Sequence, residues 1–256
     1  MTRIAHLSDP HFGTVPEGLA DRLASCLKTL RPDLVVVSGD LTQRARVGQF
    51  REARDFLMKL PAQVIVFPGN HDAPLWNVPL RLVDPWRNWR LGLGLPLEGR
   101  VVLGDVAVVG INSANPRVWK DGLIRPAQIA AMEAAFGGAG RRILALHHPP
   151  EPPAGEKPSL AGAERLVEAC ERLGVEMVLS GHLHFTQVAP LTAARGILAL
   201  QAGTCLSSRT RDDGNAFTLV DLTGGGANIA HYRLATDGAF RPDAVTEWVR
   251  GPDGWR

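Results

Sequence analysis

Short apolar runs recur along the chain, each closed by polar or glycine-containing turns. They occupy residues 4–7, 34–37, 64–67, 101–103, 106–111, 143–146, 177–179, 197–200 and 217–220. Their length and β-branched content predict buried strands. Helical spacing lies between several of them. In 18–30, Leu19, Leu23, Leu27 and Leu30 recur at steps of three or four, and in 47–60, Val47, Phe50, Phe56, Leu57 and Leu60 leave Arg and Glu on the opposite face. The 126–136 stretch opens on a proline and aligns Ile129, Met132 and Phe136, and 160–173 repeats the pattern up to Gly174. The first half therefore alternates strand and helix, which means crossover connections and parallel strands; the last sixty residues carry strand signals with few helices, which points to antiparallel pairing. The expected fold is α/β (α+β): two mixed β-sheets packed face to face and flanked by helices. No repeat or low-complexity linker divides the chain, so one domain over 1–256 is expected.

The polar residues that close the runs are not scattered. Asp9 and His11 follow the first run, Asp40 the second, and Asn70, His71 and Asp72 the third. His147 and His148 follow 143–146, and His182 and His184 follow 177–179, so six of the eight histidines fall among these five strand ends, at four of them. In open α/β sheets the carboxyl ends of strands converge on one crevice. Carboxylate oxygen and neutral imidazole suit Mn²⁺, Fe²⁺/Fe³⁺ or Zn²⁺, and no cysteine is placed to join them. Seven candidate donors (Asp9, His11, Asp40, Asn70, His147, His182, His184) overfill one ion that must keep a position open for water. Two divalent ions about 3.5–4 Å apart, sharing a carboxylate, accommodate them. Gly39, Gly69 and Gly181 each precede a candidate ligand at a tight strand exit.

Composition narrows the class. The 256 residues are 45% hydrophobic, enough for a sizeable core, and 21% charged with a net charge of +2. That balance disfavours a stable nucleic-acid complex but admits a small anionic substrate. Three widely spaced cysteines, Cys26, Cys170 and Cys205, read as free thiols in a reducing compartment. The opening MTRIAHLSD enters a strand at once, and no apolar run approaches a membrane span, so neither a secretory leader nor a transmembrane segment is expected and the cytoplasm is the default location.

The motifs SDPH, SGDLTQ, PGNHD, LHHPP and SGHLHF, in that order, resemble those of the calcineurin-like metallophosphoesterases. The tail AGTCLSSRTRDDGNAFTLVDL, with GDLTQ and INSANP, is similar to the bacterial class III cyclic-nucleotide phosphodiesterase branch. The resemblance implies a four-layer α-β-β-α sandwich with a two-metal centre. It implies Asp9, His11 and His184 on one ion, Asn70, His147 and His182 on the other, and Asp40 between them. It implies His71 on the leaving-group side, with Asp72 orienting it. The chemistry implied is hydrolysis of a phosphodiester, cyclic nucleotides among the candidates, by a bridging hydroxide. His148 is either a substrate-side or a packing residue; Arg209 and Arg211 either clamp the substrate or line a solvated loop.

The segment 73–99 holds Trp76, Trp86, Trp89, Arg81, Arg87 and Arg90 and reads as an insertion with one short helix. It packs on the body as a surface excursion, covers the site as a lid, or forms an oligomer contact. The alternatives to a small-substrate phosphodiesterase are a pyrophosphate hydrolase of the UDP-diacylglucosamine type, a nuclease relative, and a catalytically silent metal-binding scaffold.

Overall fold

The computed structural model describes residues 1–153, 155–210 and 214–256. The chain runs β1 (Thr2–Leu7), α1 (Leu19–Leu30), β2 (Leu34–Ser38), α2 (Val47–Leu57), β3 (Gln63–Phe67), a 3₁₀ turn (Asn70–Asp72), α3 (Val78–Val83), α4 (Arg87–Gly92), β4 (Gly99–Leu103), β5 (Val106–Gly110), β6 (Gly122–Leu123), α5 (Pro126–Phe136), β7 (Arg141–Ala145), β8 (Leu160–Ala161), α6 (Ala163–Arg172), β9 (Met177–Ser180), β10 (Gln187–Pro190), β11 (Leu198–Gln201), β12 (Ala216–Thr223), β13 (Gly226–Leu234), β14 (Phe240–Gly251) and β15 (Gly254–Trp255). Seven strands form one mixed sheet, ordered β15-β14-β13-β12-β1-β2-β3, and six form the other, ordered β10-β11-β9-β7-β5-β4.

The continuous apolar runs follow from burial on both faces of each sheet. In β2, Leu34 and Val36 point into the core between the sheets, and Val35 and Val37 point outward under α1 and α2. In β7, Ile143 and Ala145 enter the same central core, whereas Leu144 packs under α5 and α6 with Met132, Phe136 and Leu166. Three cores separating four layers give the α-β-β-α sandwich that the alternation predicts. Each buried Leu or Ile contributes about 1.5–3 kcal/mol, so the layers hold the strand ends in fixed relative positions.

The differences from the expected elements have local causes. Residues 160–161 pair with β6 as a short strand, and α6 begins only after the turn at Gly162. β14 carries no apolar run because it is exposed over most of its length, and backbone pairing with β13 holds it instead. The 73–99 segment forms two short helices rather than one. Trp89 is buried against Phe50 (ring centroids 5.7 Å apart), and buried Arg81 donates to the carbonyls of Ala73, Pro74, Pro116 and Val118. Trp76, by contrast, is 76% exposed. The three cysteines are unpaired. No helix among the described residues is long and apolar enough to cross a membrane.

Candidate metal centre

The parallel strands β1, β2 and β3 of one sheet and β7 and β9 of the other all end at the same rim. Asp9 and His11 leave β1, Asp40 leaves β2, Asn70 starts the turn after β3, His147 leaves β7, and His182 and His184 leave β9. Each exit bends sharply. Asp9, His11, Asp40, His182 and His184 all adopt positive φ, between 47° and 78°. This conformation costs a residue with a Cβ about 1–3 kcal/mol and persists only when its surroundings over-determine it. Here backbone bonds do so: Asp9 N to Gly39 O (3.2 Å), His11 N to Asp40 O (3.0 Å) and Gly181 N to His147 O (2.9 Å). Gly39 is itself at φ 87°, and a Cβ there would strike the His147 ring. A Cβ on Gly181 would strike Ser8 Oγ and Asp9. These glycines let the ligand-bearing loops approach each other.

Six of the seven predicted donors divide into two clusters, with Asp40 between them. In the first, His11 Nε2 lies 3.5 Å from His184 Nε2, 3.7 Å from Asp9 Oδ1 and 3.9 Å from Asp40 Oδ2, and His184 Nε2 lies 3.4 Å from Asp9 Oδ1. In the second, Asn70 Oδ1 lies 3.2 Å from His147 Nε2 and 3.1 Å from His182 Nδ1, while His147 Nε2 lies 3.5 Å from Asp40 Oδ1. The Asp40 carboxylate therefore turns one oxygen to each cluster. Donors bound to one ion at about 2.0–2.2 Å lie roughly 3–3.5 Å apart, so both clusters have nearly the spacing of a coordination sphere.

The electrostatics fit cations. Burial alone would raise both carboxyl groups, but His184 and His147 hold Asp9 below the usual carboxylate range, and His147 and His71 do the same for Asp40. Burial lowers His11 to about 4, which keeps it in the neutral form that ligates. Burial, with His148 and His147 adding to it, also lowers His182. Burial opposes charge on His147 too, but Asp40 outweighs it and pushes the group up to about 9, so a divalent ion bound there would take the place of a proton. Asp9 Oδ1 and His11 Nδ1 are buried with no hydrogen-bond partner. An unpaired buried carboxylate oxygen is costly unless a cation faces it, and the residues present fit such a group.

Second partners orient the rings. His147 Nδ1 donates to Ser38 O at 2.7 Å, and His184 Nδ1 meets Thr204 Oγ1 at 2.8 Å and Arg209 O at 3.0 Å, leaving each Nε2 aimed at the centre. His71 Nδ1 donates to Gln43 O at 3.1 Å, its backbone N donates to Asp40 Oδ1 at 2.8 Å, and Arg209 Nη1 lies 3.4 Å from its Nε2. The orienting part expected of Asp72 thus falls to the Gln43 carbonyl. Asp72 instead accepts from Leu41 N, Thr42 N, Thr42 Oγ1 and Gly69 N at 2.9–3.0 Å, tying the Asp40 loop to the Asn70 turn. Burial and then the Asp40 charge push its carboxyl up to about 7.

His148 is fully buried, with Nδ1 on Ser113 Oγ (2.8 Å) and Nε2 on Lys120 O (2.7 Å). It is closed to a substrate and buttresses the rings of His147 and His182 at 4.9 and 4.6 Å. Arg209 is exposed at the rim; Arg211 lies outside the described residues. The motif SGDLTQ already contained Ser38 and Gln43, but they act through backbone carbonyls, which no side-chain pattern reveals. Above the clusters opens a cleft of about 740 Å³, bordered by Asp40, Asn70, His71, His182, His184 and Arg209.

The family model for calcineurin-like phosphoesterases matches residues 2–185. A cAMP/cGMP dual specificity phosphodiesterase of Mycobacterium tuberculosis is 27% identical over 237 residues, covering 81% of this chain and 71% of that protein. The glycerophosphodiester phosphodiesterase GpdQ of Enterobacter lignolyticus is 32% identical over 202 residues, covering 71% of this chain and 70% of that protein. A solved dimetal phosphatase from Danio rerio superposes with a TM-score of 0.66 at 15% identity, over 90% of this chain and 95% of that one, a likeness of fold.

Proposed function

The chain belongs to the calcineurin-like phosphoesterase family, and from that premise we propose that it is a dinuclear metal-dependent phosphodiesterase of small substrates, cyclic nucleotides and glycerophosphodiesters among them. The observation that carries the reading is the pair of donor clusters sharing Asp40. Asp9, His11 and His184 would hold one ion, Asn70, His147 and His182 the other, with Asp40 shared between them; Mn²⁺, Fe²⁺/Fe³⁺ and Zn²⁺ suit this donor set. When bound, such ions supply positive charge against the phosphate oxygens and acidify a water for attack.

The chain's own groups do the rest. With Nδ1 donating to the Gln43 carbonyl, His71 in its imidazolium form presents Nε2–H to donate a proton or hydrogen bond to the leaving oxygen. Arg209, beside that atom, adds a guanidinium to the developing charge. Asp72 keeps the Asp40 and Asn70 loops in register, so the donors are placed before substrate arrives.

Two relatives named as phosphodiesterases support diester over monoester hydrolysis. The test is hydrolysis of bis(p-nitrophenyl) phosphate with added Mn²⁺, set beside p-nitrophenyl phosphate and the Asp40→Ala variant. The wild type turns over the diester faster than the monoester, and Asp40→Ala turns over neither. A wild type as silent as the variant would make the chain a metal-binding scaffold.

One observation favours a second reading. Trp76, Leu82 and Val83 are exposed on the segment that carries α3 and α4, as an acyl-chain contact for a lipid-linked pyrophosphate requires. Under that reading, Trp76→Ser with Val83→Ser slows long-chain substrates and spares the chromogenic diester.

A further inference from the structure

Two arginines on the loop after β2, Arg44 and Arg46, touch no metal ligand. Ala45 between them sits at φ 50°, a strained conformation for a residue with a Cβ. It is held there by bonds from Ala45 N to Thr42 Oγ1 (3.0 Å), from Asn88 Nδ2 to Ala45 O (2.8 Å), and from Arg44 N and Arg46 N to Gln49 Oε1 (3.0 and 3.4 Å). Through this turn both arginines line a pocket of about 540 Å³, closed on its far side by Arg209 and His71. No Asp or Glu lines it, and none of the three arginines is ion-paired among the described residues. Arg44 stands over the Trp76 ring at 5.8 Å, and Arg209 Nη1 donates to Gln43 Oε1 at 3.1 Å. Three permanent charges around one concavity repel each other and favour an anion among them.

The pocket's position gives it a use. His71 and Arg209 line both it and the cleft over the metal centre, so they form the wall between the two. The cleft carries mixed charge, from Lys120, Asp121, Glu156 and Lys157. Among the described residues, the pocket across the wall carries only cationic charge. A diester seated at the centre therefore sends one substituent into mixed surroundings and the other past His71 into guanidinium groups.

Resting on the phosphodiesterase reading above, we propose that this pocket is a second anion subsite, and that the preferred substrates are phosphodiesters whose leaving alcohol itself carries a phosphate monoester. The reaction stays a hydrolysis: water adds to phosphorus, the P–O bond to that alcohol breaks, the alcohol takes up a proton, and its own phosphate remains attached. The guanidinium forks match a phosphate bidentately, so the subsite lowers KM for such substrates.

The test compares the dinucleotides ApA, pApA and ApAp with the Mn²⁺-supplemented enzyme, products being separated by chromatography. One phosphorylated dinucleotide exceeds ApA in kcat/KM by about tenfold or more. In the double variant Arg44→Gln with Arg46→Gln that ratio falls close to one; Arg44 is only half-buried and Arg46 exposed, so the fold tolerates the change. Equal kcat/KM for all three dinucleotides, or a preference the double variant keeps, overturns the subsite. Calorimetry gives a readout without turnover: adenosine 3′,5′-bisphosphate binds the wild type more tightly than AMP does, and the double variant loses the difference. Turnover of bis(p-nitrophenyl) phosphate in the same preparation separates failure of the subsite from failure of the phosphodiesterase reading.

Discussion

The two donor clusters differ in charge although the same rim of strand ends builds both. The Asp9 cluster combines two carboxylates with two imidazoles and leaves Asp9 Oδ1 with no hydrogen bond. The Asn70 cluster combines a neutral amide with two imidazoles and one Asp40 oxygen, and Asn70 Oδ1 already lies 3.1–3.2 Å from both imidazoles. The first arrangement is frustrated without a cation; the second is largely satisfied by hydrogen bonds. Since ligand charge sets affinity for hard cations, the first cluster would hold an ion more tightly and the second would exchange its ion more readily.

Asp40→Ala attacks what the clusters share and has the largest expected effect. Turnover of a chromogenic diester falls about 10³-fold or more, and metal analysis finds both ions weakened. Loss of only one ion would mean that the clusters are independent. His71→Ala comes next, with kcat down by about 10²-fold while metal analysis still finds two ions per chain; a loss of metal would place His71 among the ligands.

Asn70→Ala sharpens the asymmetry. It weakens the second ion by about 10–100-fold, and titration of Mn²⁺ restores most of the activity. Asn70→Asp does the reverse by adding charge, and the two binding steps seen in a calorimetric Mn²⁺ titration draw together. Asp72→Asn has the smallest effect on chemistry. It puts an amide donor among four donors, costs about 1–3 kcal/mol of stability, and lowers the denaturant midpoint with both ions still bound.

The strands that carry the site were legible because they are buried on both faces: each reads as an apolar run, and the polar residue that breaks the run is the one at the rim. β14 was not, because it is exposed over most of its length, and β13, paired between β12 and β14 and mostly half-buried, carries no continuous apolar run either. The Trp/Arg segment illustrates both cases. Trp89 and Arg81 fasten it to the body, whereas Trp76 stays exposed, and composition alone does not distinguish one Trp from another. The same holds for arginine: Arg81 is a buried staple on four carbonyls, while Arg44 and Arg46 face an open pocket.

Residue order by itself determined which side chains are available at the rim, because period-two burial and apolar run length are local properties. It also determined the kind of chemistry, since carboxylate, amide and imidazole without thiolate select a narrow class of ions. The tertiary structure alone decided which donors face each other, that Gln43 rather than Asp72 holds His71, and that His148 is closed off. Those outcomes depend on backbone carbonyls, left-handed turns and the approach of two sheets, and such distances exist only after residues far apart in the chain are packed together.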